Sequence, residues 1–220
     1  MRRFTAAVLA FALCLTACTN TKSILYRASM FGNMTAAGVM LGDDGRTYHF
    51  SNDADFPELP QEGRIVAILD ALDKQEGSGE HYDAELLNYS VPLCKEPVTC
   101  STEEEVAALG DDPIKMEDGS WSGSYLNMIC TVMLKSNSTA KHMVNLQIVP
   151  GAGTDTLHAV LRHNAFADKI DEAEADLFEK YPFYASFPLA DKLPEGKATV
   201  LELKWYWEGE WHTMCSSISR

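Results

Sequence analysis

The chain has 220 residues, of which 46% are hydrophobic and 23% charged, and 18 basic against 32 acidic side chains give a formal net charge of −14. These proportions are typical of a globular protein and exclude collagen-like, low-complexity and polytopic membrane chains. The acidic excess argues against a surface for nucleic acid, because neutralising phosphates requires a local excess of Lys and Arg.

The first residues have the form of a bacterial export signal. Met1-Arg2-Arg3 is basic, and residues 4–16 form a mostly apolar run without a charge. At about 1.5 Å per residue, this run is too short to cross a hydrocarbon layer of about 30 Å as a helix. We therefore expect a cleaved leader over residues 1–17.

The end of the leader, Leu15-Thr16-Ala17-Cys18, resembles the lipobox of bacterial lipoproteins. The resemblance implies lipidation of Cys18 and a lipidated tether over residues 18–23, which attaches the protein to the membrane. Two or three acyl chains hold a protein durably, whereas one chain is marginal. Thr19 favours the outer membrane, because Asp at that position would resemble an inner-membrane retention signal. An ordinary secretory signal with a chance cysteine is the alternative, and the membrane face is left open.

Four cysteines remain after the leader and the lipid site, namely Cys94, Cys100, Cys130 and Cys215. Disulfides persist in the oxidising cell envelope. Cys94 and Cys100 flank a short Pro-containing turn, so we predict that they form a disulfide, although four cysteines allow three full pairings. A zinc site is disfavoured because no C-x₂-C pair or closely spaced His accompanies them.

The segment from residue 24 to residue 98 has the pattern of a small five-stranded barrel. Short strand-like runs, separated by turn residues, cover 24–31, 35–41, 46–51, 64–69 and 81–91. The Asp-Gly within residues 42–45 predicts a hairpin between the second and third strands. Five short strands in so few residues favour an OB-like β-barrel, since closure removes exposed sheet edges.

A short connecting helix is predicted within residues 99–111. Two capping boxes compete for its first turn, Ser101 with Glu104 and Thr102 with Glu105, and Gly110 follows its last apolar residue. Ser or Thr followed three residues later by Glu satisfies two backbone N–H groups at a helix start. This helix is predicted to link two β-domains.

Residues 112–220 predict a β-sandwich. Seven strands are expected at 112–118, 123–134, 141–149, 156–164, 183–189, 197–207 and 210–218. Within residues 168–181, Ile170, Ala173, Leu177 and Tyr181 recur at helical spacing, which predicts an amphipathic helix. A long loop is the alternative. The expected fold is therefore mainly β, an OB-like barrel followed by a sandwich.

Several motifs resemble the NigD-like lipoproteins of Bacteroidota. They are Gly63-Arg64-Ile65-Val66, Leu109-Gly110-Asp111-Asp112-Pro113-Ile114, Trp121…Gly123-Ser124-Tyr125-Leu126-Asn127, Lys141-His142…Asn145-Leu146 and Leu161-Arg162-His163-Asn164. The resemblance covers most of the mature chain and is densest from residue 109 to residue 164. It implies an N-terminal OB-like barrel, a C-terminal β-sandwich and a lipidated tail. The family's name comes from a bacteriocin locus, which suggests an immunity or secretion role.

The residues contain no recognised catalytic, cofactor or metal motif. There is no nucleophile elbow, H-E-x-x-H, phosphate-binding Gly-rich loop or EF-hand. His142, His158 and His163 could meet as a metal trio, but His158 and His163 lie five apart on one predicted strand and therefore point to opposite faces. The barrel segment 27–96 carries five basic and thirteen acidic residues, which disfavours single-strand nucleic-acid binding.

The aromatic cluster near the C-terminus is the best candidate for a binding surface. The cluster is Trp205-Tyr206-Trp207 followed by Trp211. Trp205 and Trp207 share one face of a predicted strand, and a turn at residues 208–210 could set Trp211 beside them. Exposed Trp and Tyr favour contact sites, so a platform for a glycan or protein partner is one interpretation. The other is that these rings fill the sandwich core.

The sequence thus predicts a non-enzymatic envelope lipoprotein that binds a protein or glycan partner. Arg162, His163 and Asn164 are expected to stabilise the sandwich rather than to catalyse, because Leu161 and His163 share the apolar face of their strand. The alternative is an enzyme whose site is assembled from dispersed residues of the sandwich.

Overall fold

The structure is a computed structural model that describes residues 23–75, 79–122, 124–150, 155–169 and 176–219. The predicted leader, Cys18 and all of the tether except Ser23 lie outside the described residues. Within the described residues, no helix is both long enough and apolar enough to cross a membrane.

The N-terminal part is a closed five-stranded barrel. Its strands are β1 (Tyr26–Ala36), β2 (Val39–Gly42), β3 (Thr47–Phe50), β4 (Gly63–Lys74) and β5 (His81–Ser90), and their order around the barrel is β1-β2-β3-β5-β4. Alternate residues point inward, so that Tyr48, Leu69 and Leu86 are almost fully buried in its core. The OB-like barrel predicted from the sequence is confirmed.

One barrel strand was predicted with the wrong bounds. The run 35–41 was expected to be continuous, but the chain turns at Ala37-Gly38 and divides it between β1 and β2. Gly38 has φ +67°, and a Cβ there would lie 2.9 Å from a carboxylate oxygen of Asp53. The turn therefore needs glycine, yet it lacks the Asn-Gly or Asp-Gly pair that identifies tight hairpins in a sequence.

The connection to the second domain contains β6 (Leu93–Cys94) and one helix, α1 (Glu103–Leu109). Thr102 is the N-cap of α1, and its hydroxyl accepts from the Glu105 N–H at 3.2 Å while the Glu105 carboxylate accepts from the Thr102 N–H. The second of the two competing capping boxes is therefore the one formed. β6 pairs with a strand of the sandwich, so the chain joins the second domain earlier than residue 98.

The C-terminal part is a β-sandwich of two four-stranded sheets. Its further strands are β7 (Ile114–Ser122), β8 (Tyr125–Lys135), β9 (Met143–Val149), β10 (Thr156–Asn164), β11 (Phe178–Pro188), β12 (Thr199–Trp207) and β13 (Glu210–Ile218). One sheet has the order β13-β12-β10-β9 and the other β6-β11-β8-β7. Inward-facing side chains such as Leu146, Leu161, Leu203 and Phe187 form a continuous apolar core between them. The predicted sandwich is confirmed.

The helix predicted within residues 168–181 is wrong at its C-terminal end. Phe178 to Tyr181 belong to β11, which pairs antiparallel with β8 along its whole length. Phe178 is buried. Because β11 extends to Phe178, the backbone N–H and C=O groups at that end of β8 have hydrogen-bond partners that a helix would not supply. Residues 170–175, which include Ile170 and Ala173, lie outside the described residues.

Candidate functional site

A buried arginine joins the two domains. Arg64 on β4 is 5% exposed, and its Nε donates to the Ser186 hydroxyl on β11 at 2.8 Å. One terminal nitrogen donates to Asp43 at 2.7 Å and to Asn33 at 3.4 Å, and the other donates to Asp43 and to Asn127 at 2.8 Å. All five N–H groups of the guanidinium are therefore used, which is the condition for burying such a charge at low cost.

Asn127 on β8 completes this network from the sandwich side. Its Nδ2 donates to Asp43 at 2.8 Å and to the Ser122 hydroxyl at 2.9 Å, while its Oδ1 accepts from Ser186 at 2.6 Å. The guanidinium also lies over the Tyr125 ring, 3.9 Å from its centroid. Because a half-satisfied buried network is costly, these saturated contacts hold the barrel and the sandwich in one fixed arrangement.

A cleft of about 420 Å³ opens beside the network, between the two domains. The barrel contributes Phe31 and Asp43 to its walls, and the sandwich contributes Ser122, Asn127 and Tyr184. Domain boundaries are common places for ligand sites. Here, however, the polar groups of Asp43, Ser122 and Asn127 already hydrogen-bond to one another or to Arg64, so the cleft presents few free groups to a ligand.

The Arg162-His163-Asn164 segment fastens the interdomain linker to β10. Arg162 donates to Gln147 on β9 at 2.8 Å and forms an ion pair with Asp111, and Asn164 donates to the Ala108 carbonyl at 3.0 Å. These contacts tie α1 and the residues after it to the outer face of the sheet. The segment therefore fastens the linker to β10, and its structural rather than catalytic role stays a prediction.

The backbone of the same segment also holds the linker. Asp112 N–H donates to the His163 carbonyl at 2.9 Å, and the Asp112 carboxylate accepts from Ala165 N–H at 2.7 Å. Gly110 has φ +77°, and a Cβ at this position would lie 2.5 Å from the His163 carbonyl oxygen. Only glycine therefore allows the linker to approach β10 so closely.

His163 is 2% exposed and belongs to a chain of hydrogen-bonded groups. Its Nδ1 lies 3.0 Å from the Pro113 carbonyl, which can only accept, so Nδ1 carries the proton and Nε2 can accept from His142 Nδ1 at 2.9 Å. His142 Nε2 lies 3.4 Å from the Asp168 carboxylate. Burial lowers the pKa of His163, while the hydrogen bond to Pro113 partly opposes that effect.

The three histidines singled out as a conceivable metal trio do not meet. His142 and His163 are neighbours, but His158 faces outward and contacts Glu202 at 3.3 Å. Opposite faces for His158 and His163 were expected from their spacing. Among the described residues, no group of three or more His, Cys, Asp or Glu side chains is placed to hold a metal ion.

The three candidate binding tryptophans lie on two different faces of the sheet. Trp207 is buried at 7% exposure, and Trp205 packs partly against the core. Trp211 pairs with Tyr206, which points outward, so Trp211 is 48% exposed on the opposite face from Trp205 and Trp207. The predicted three-ring platform is therefore not formed, because a two-residue turn sets residue 211 opposite residue 206 rather than 205 or 207.

A smaller aromatic surface exists on the outer face instead. The Trp211 ring lies 5.5 Å from the Tyr206 ring, centroid to centroid, and the Arg162 guanidinium lies 5.6 Å from the Trp211 centroid. We call Arg162, Tyr206 and Trp211 the outer aromatic patch. Tyr206 stands in the same aromatic run of the sequence as Trp205 and Trp207, but no local signal indicates that it pairs with Trp211 or that Arg162 joins them, since these residues lie on three different strands.

The thiols of Cys94, Cys100, Cys130 and Cys215 are all unpaired in the structure. Cys94 and Cys215 are exposed and Cys100 is partly exposed, so these three are accessible to oxidants. Burial raises the pKa of the Cys130 thiol to about 12, which keeps it protonated and unreactive. The disulfide between Cys94 and Cys100 is thus not formed here and stays a prediction.

The fold and its interdomain network define a class of protein, a closed barrel joined rigidly to a β-sandwich through a short helical linker. Residues 96–214 match the family model described as the NigD-like C-terminal beta sandwich domain. The match covers more than half of the chain, and the protein belongs to the NigD-like family. No curated protein gives a significant match.

Three solved structures with the same fold come from Bacteroides species. A protein of unknown function from Bacteroides vulgatus has a TM-score of 0.68 at 20% identity, covering 89% of this chain and 92% of that one. A NigD-like immunity protein from Bacteroides caccae has a TM-score of 0.57 at 16% identity, with coverages of 86% and 91%. A protein from Bacteroides fragilis, provisionally assigned as a lipoprotein, has a TM-score of 0.61 at 10% identity, with coverages of 88% and 98%. At these identities the likeness shows the fold alone.

Proposed function

We propose that the protein is an envelope lipoprotein, anchored in the outer membrane through Cys18, that binds a protein partner and does not catalyse a reaction. The observation that carries this proposal is the outer aromatic patch. Trp211 has 48% of its surface exposed although it lies against Tyr206. It does not belong to the apolar core of the sandwich. Partly exposed Trp, Tyr and Arg side chains are enriched where proteins bind other proteins.

The remaining polar residues of interest support binding rather than catalysis, because their groups are already committed to the fold. Arg64 donates all five of its N–H groups within the interdomain network. Both ring nitrogens of His163 are used, one by Pro113 and one by His142. A general base needs a free nitrogen or oxygen within reach of a substrate proton.

The family context supports a protein partner at the cell envelope. One structural neighbour is an immunity protein and another is provisionally assigned as a lipoprotein. The lipobox-like sequence ending in Cys18 fits that setting. A net charge of −14 speeds association with basic surfaces, so a cationic protein such as a secreted toxin is the class of partner that the electrostatics favour.

Capture of partners from envelope extracts by the purified soluble domain, with quantitative proteomics, tests this proposal. We expect a protein that binds the parent and whose recovery falls at least tenfold with Trp211→Ala. Tyr181→Ala is the matched control, because Tyr181 is an equally exposed aromatic residue, at 54%, on another strand. Equal recovery by the parent and Trp211→Ala contradicts the proposal.

A glycan array probed with the same proteins separates the two kinds of ligand. Binding of the parent to a glycan, lost with Trp211→Ala, assigns the patch to a glycan and overturns the choice of a protein partner. Turnover of any envelope component by the purified domain, abolished by a single polar substitution in the sandwich, supports the enzyme alternative instead.

A further inference from the structure

β13 forms an open edge of its sheet. It pairs antiparallel with β12 over the whole stretch Glu210–Ile218, and in the part of the chain that the structure describes no strand pairs with its other side. In a ladder with only one partner, alternate residues direct their N–H and C=O groups outward. β13 therefore offers a row of main-chain donors and acceptors to an added strand.

The other sheet edges carry features that block such addition. β7 is interrupted by a bulge between Met116 and Asp118 and carries Lys115. β9 is covered by Val98, which donates to the Leu146 carbonyl and accepts from Ile148 N–H. The free part of β11 contains Pro182, which lacks an N–H. Bulges, charges, proline and covering loops are the usual protection against edge-to-edge pairing.

β13 has none of these features among its described residues. Its sequence, Glu-Trp-His-Thr-Met-Cys-Ser-Ser-Ile, contains no Pro, Gly, Lys, Arg or Asp, and its one acidic residue stands at its first position. The ladder with β12 runs without a register shift. Long, regular and uncharged edges are rare in proteins unless they are used for pairing, because they invite aggregation.

The side chains along β13 supply contacts on both faces for a strand lying beside it. Trp211, Thr213 and Cys215 point outward and are exposed, which continues the outer aromatic patch to the edge. Met214 points inward and is partly buried against the core. A strand added here would gain main-chain hydrogen bonds for affinity and alternate side-chain contacts for specificity.

We propose that β13 binds an extended, uncharged to basic segment of the partner protein by β-strand addition, with Trp211 packing on one of its side chains. This inference rests on the proposed function, since it gives the mode by which the partner binds. A second copy of this chain is disfavoured as the occupant, because two molecules that each carry a net charge of −14 repel one another. The same charge attracts a basic strand.

Hydrogen–deuterium exchange of the soluble domain tests the inference directly. The probe is the peptide acetyl-Lys-Val-Thr-Val-Thr-Val-Lys-amide, and its control is the same peptide methylated on every backbone nitrogen, which cannot donate from either edge. We expect the first peptide to slow exchange of β13 amides at least tenfold and the methylated peptide to leave it unchanged. Unchanged exchange with both peptides overturns the inference.

Thr213→Lys provides a second readout, because it places a charge on the edge opposite a basic strand. We expect Thr213→Lys to weaken peptide binding at least tenfold, whereas Ser120→Lys, at an exposed site on β7, changes it less than twofold.

A partner that binds without protecting β13 overturns the inference and leaves the proposed function standing. A dimer with protected β13 assigns the edge to a second copy and also overturns it. Absence of any partner overturns both proposals.

Discussion

The Arg64 guanidinium in the barrel donates to the Ser186 hydroxyl in the sandwich at 2.8 Å, although 122 residues separate them in the chain. Around this contact, the Asp43 carboxylate accepts hydrogen bonds from both Arg64 and Asn127. The result is a desolvated polar joint between two apolar cores. Such a joint fixes the orientation of the domains more specifically than an apolar contact, because every member depends on the geometry of the others.

The first prediction concerns this joint. Arg64→Met keeps most of the side-chain volume but leaves the Asp43 carboxylate buried without its cation, and removing one partner of a buried pair costs about 3–5 kcal/mol. We expect the free energy of unfolding, measured by urea denaturation, to fall by that amount. Lys115→Met, which removes the exposed pair with Glu117, should cost less than about 1 kcal/mol.

A double variant separates the charge pair from packing. Arg64→Met combined with Asp43→Asn should recover part of the loss, because it removes the stranded carboxylate. A loss for Arg64→Met no larger than that for Lys115→Met would show that the joint does not stabilise the fold.

The second prediction is a pH dependence that comes from His163. Because burial lowers its pKa in the folded state, the folded protein binds fewer protons at this site than the unfolded chain does. The contribution of His163 to the free energy of unfolding is therefore fully present above the pKa that the residue has in the unfolded chain, about 6.5. This contribution is lost as the pH falls towards the lower pKa of the folded state. His142 and Asp112 lie near the same ring, and Asp168 lies near His142.

Denaturation curves between pH 7.5 and 4.5 measure this effect. We expect the free energy of unfolding to decrease over that range with a steeper slope for the parent than for His163→Gln. His81→Gln, which replaces a partly exposed histidine on β5, is measured alongside as the control. Equal slopes for the parent and His163→Gln would place the pH dependence elsewhere.

The third prediction is that Cys18 carries the lipid. Cys18→Ala should abolish labelling by a fatty-acid analogue in cells and leave the leader uncleaved by the lipoprotein peptidase, because the modified thiol is the feature that this peptidase recognises. Cys215→Ala is a suitable control and should be labelled like the parent. Persistent labelling of the Cys18 variant would falsify the anchor.

The fourth prediction is a disulfide between Cys94 and Cys100 in protein taken from cells. Non-reducing peptide mapping should recover the two as a linked pair, because the short Pro-containing segment between them can close in an oxidising compartment. Cys130 serves as an internal reference, since its buried thiol should resist alkylation until the protein unfolds. Alkylation of both Cys94 and Cys100 as free thiols would end this idea.

Much of the fold could be predicted from the sequence because it depends on local signals. Alternating apolar residues identify most strands, Asp-Gly identifies the β2–β3 turn, and the capping boxes locate the start of α1 to within one residue. Where local signals mislead, the prediction is wrong. Leu177 and Tyr181 have helical spacing, but Tyr181 lies in β11, whose pairing with β8 makes the backbone extended there.

The sites were harder to predict because they depend on contacts between distant strands. Arg64 and Asn127 stood within the motifs of the family resemblance, yet nothing in the sequence indicates that Asp43 and Ser186 meet them. The outer aromatic patch likewise depends on the pairing of β12 with β13, which places Trp211 opposite Tyr206. A one-residue shift in that turn would have placed Trp211 on the same face as Trp205 and Trp207.

Parallel measurement of partner binding and thermal stability for Trp211→Ala and His163→Ala tests the central claim most directly. We predict that Trp211→Ala loses binding at least tenfold and melts like the parent. His163→Ala should melt several degrees lower, since unsatisfied buried polar groups cost about 1–3 kcal/mol, and should bind normally below its transition. The account is contradicted if His163→Ala melts like the parent and loses binding, while Trp211→Ala binds normally.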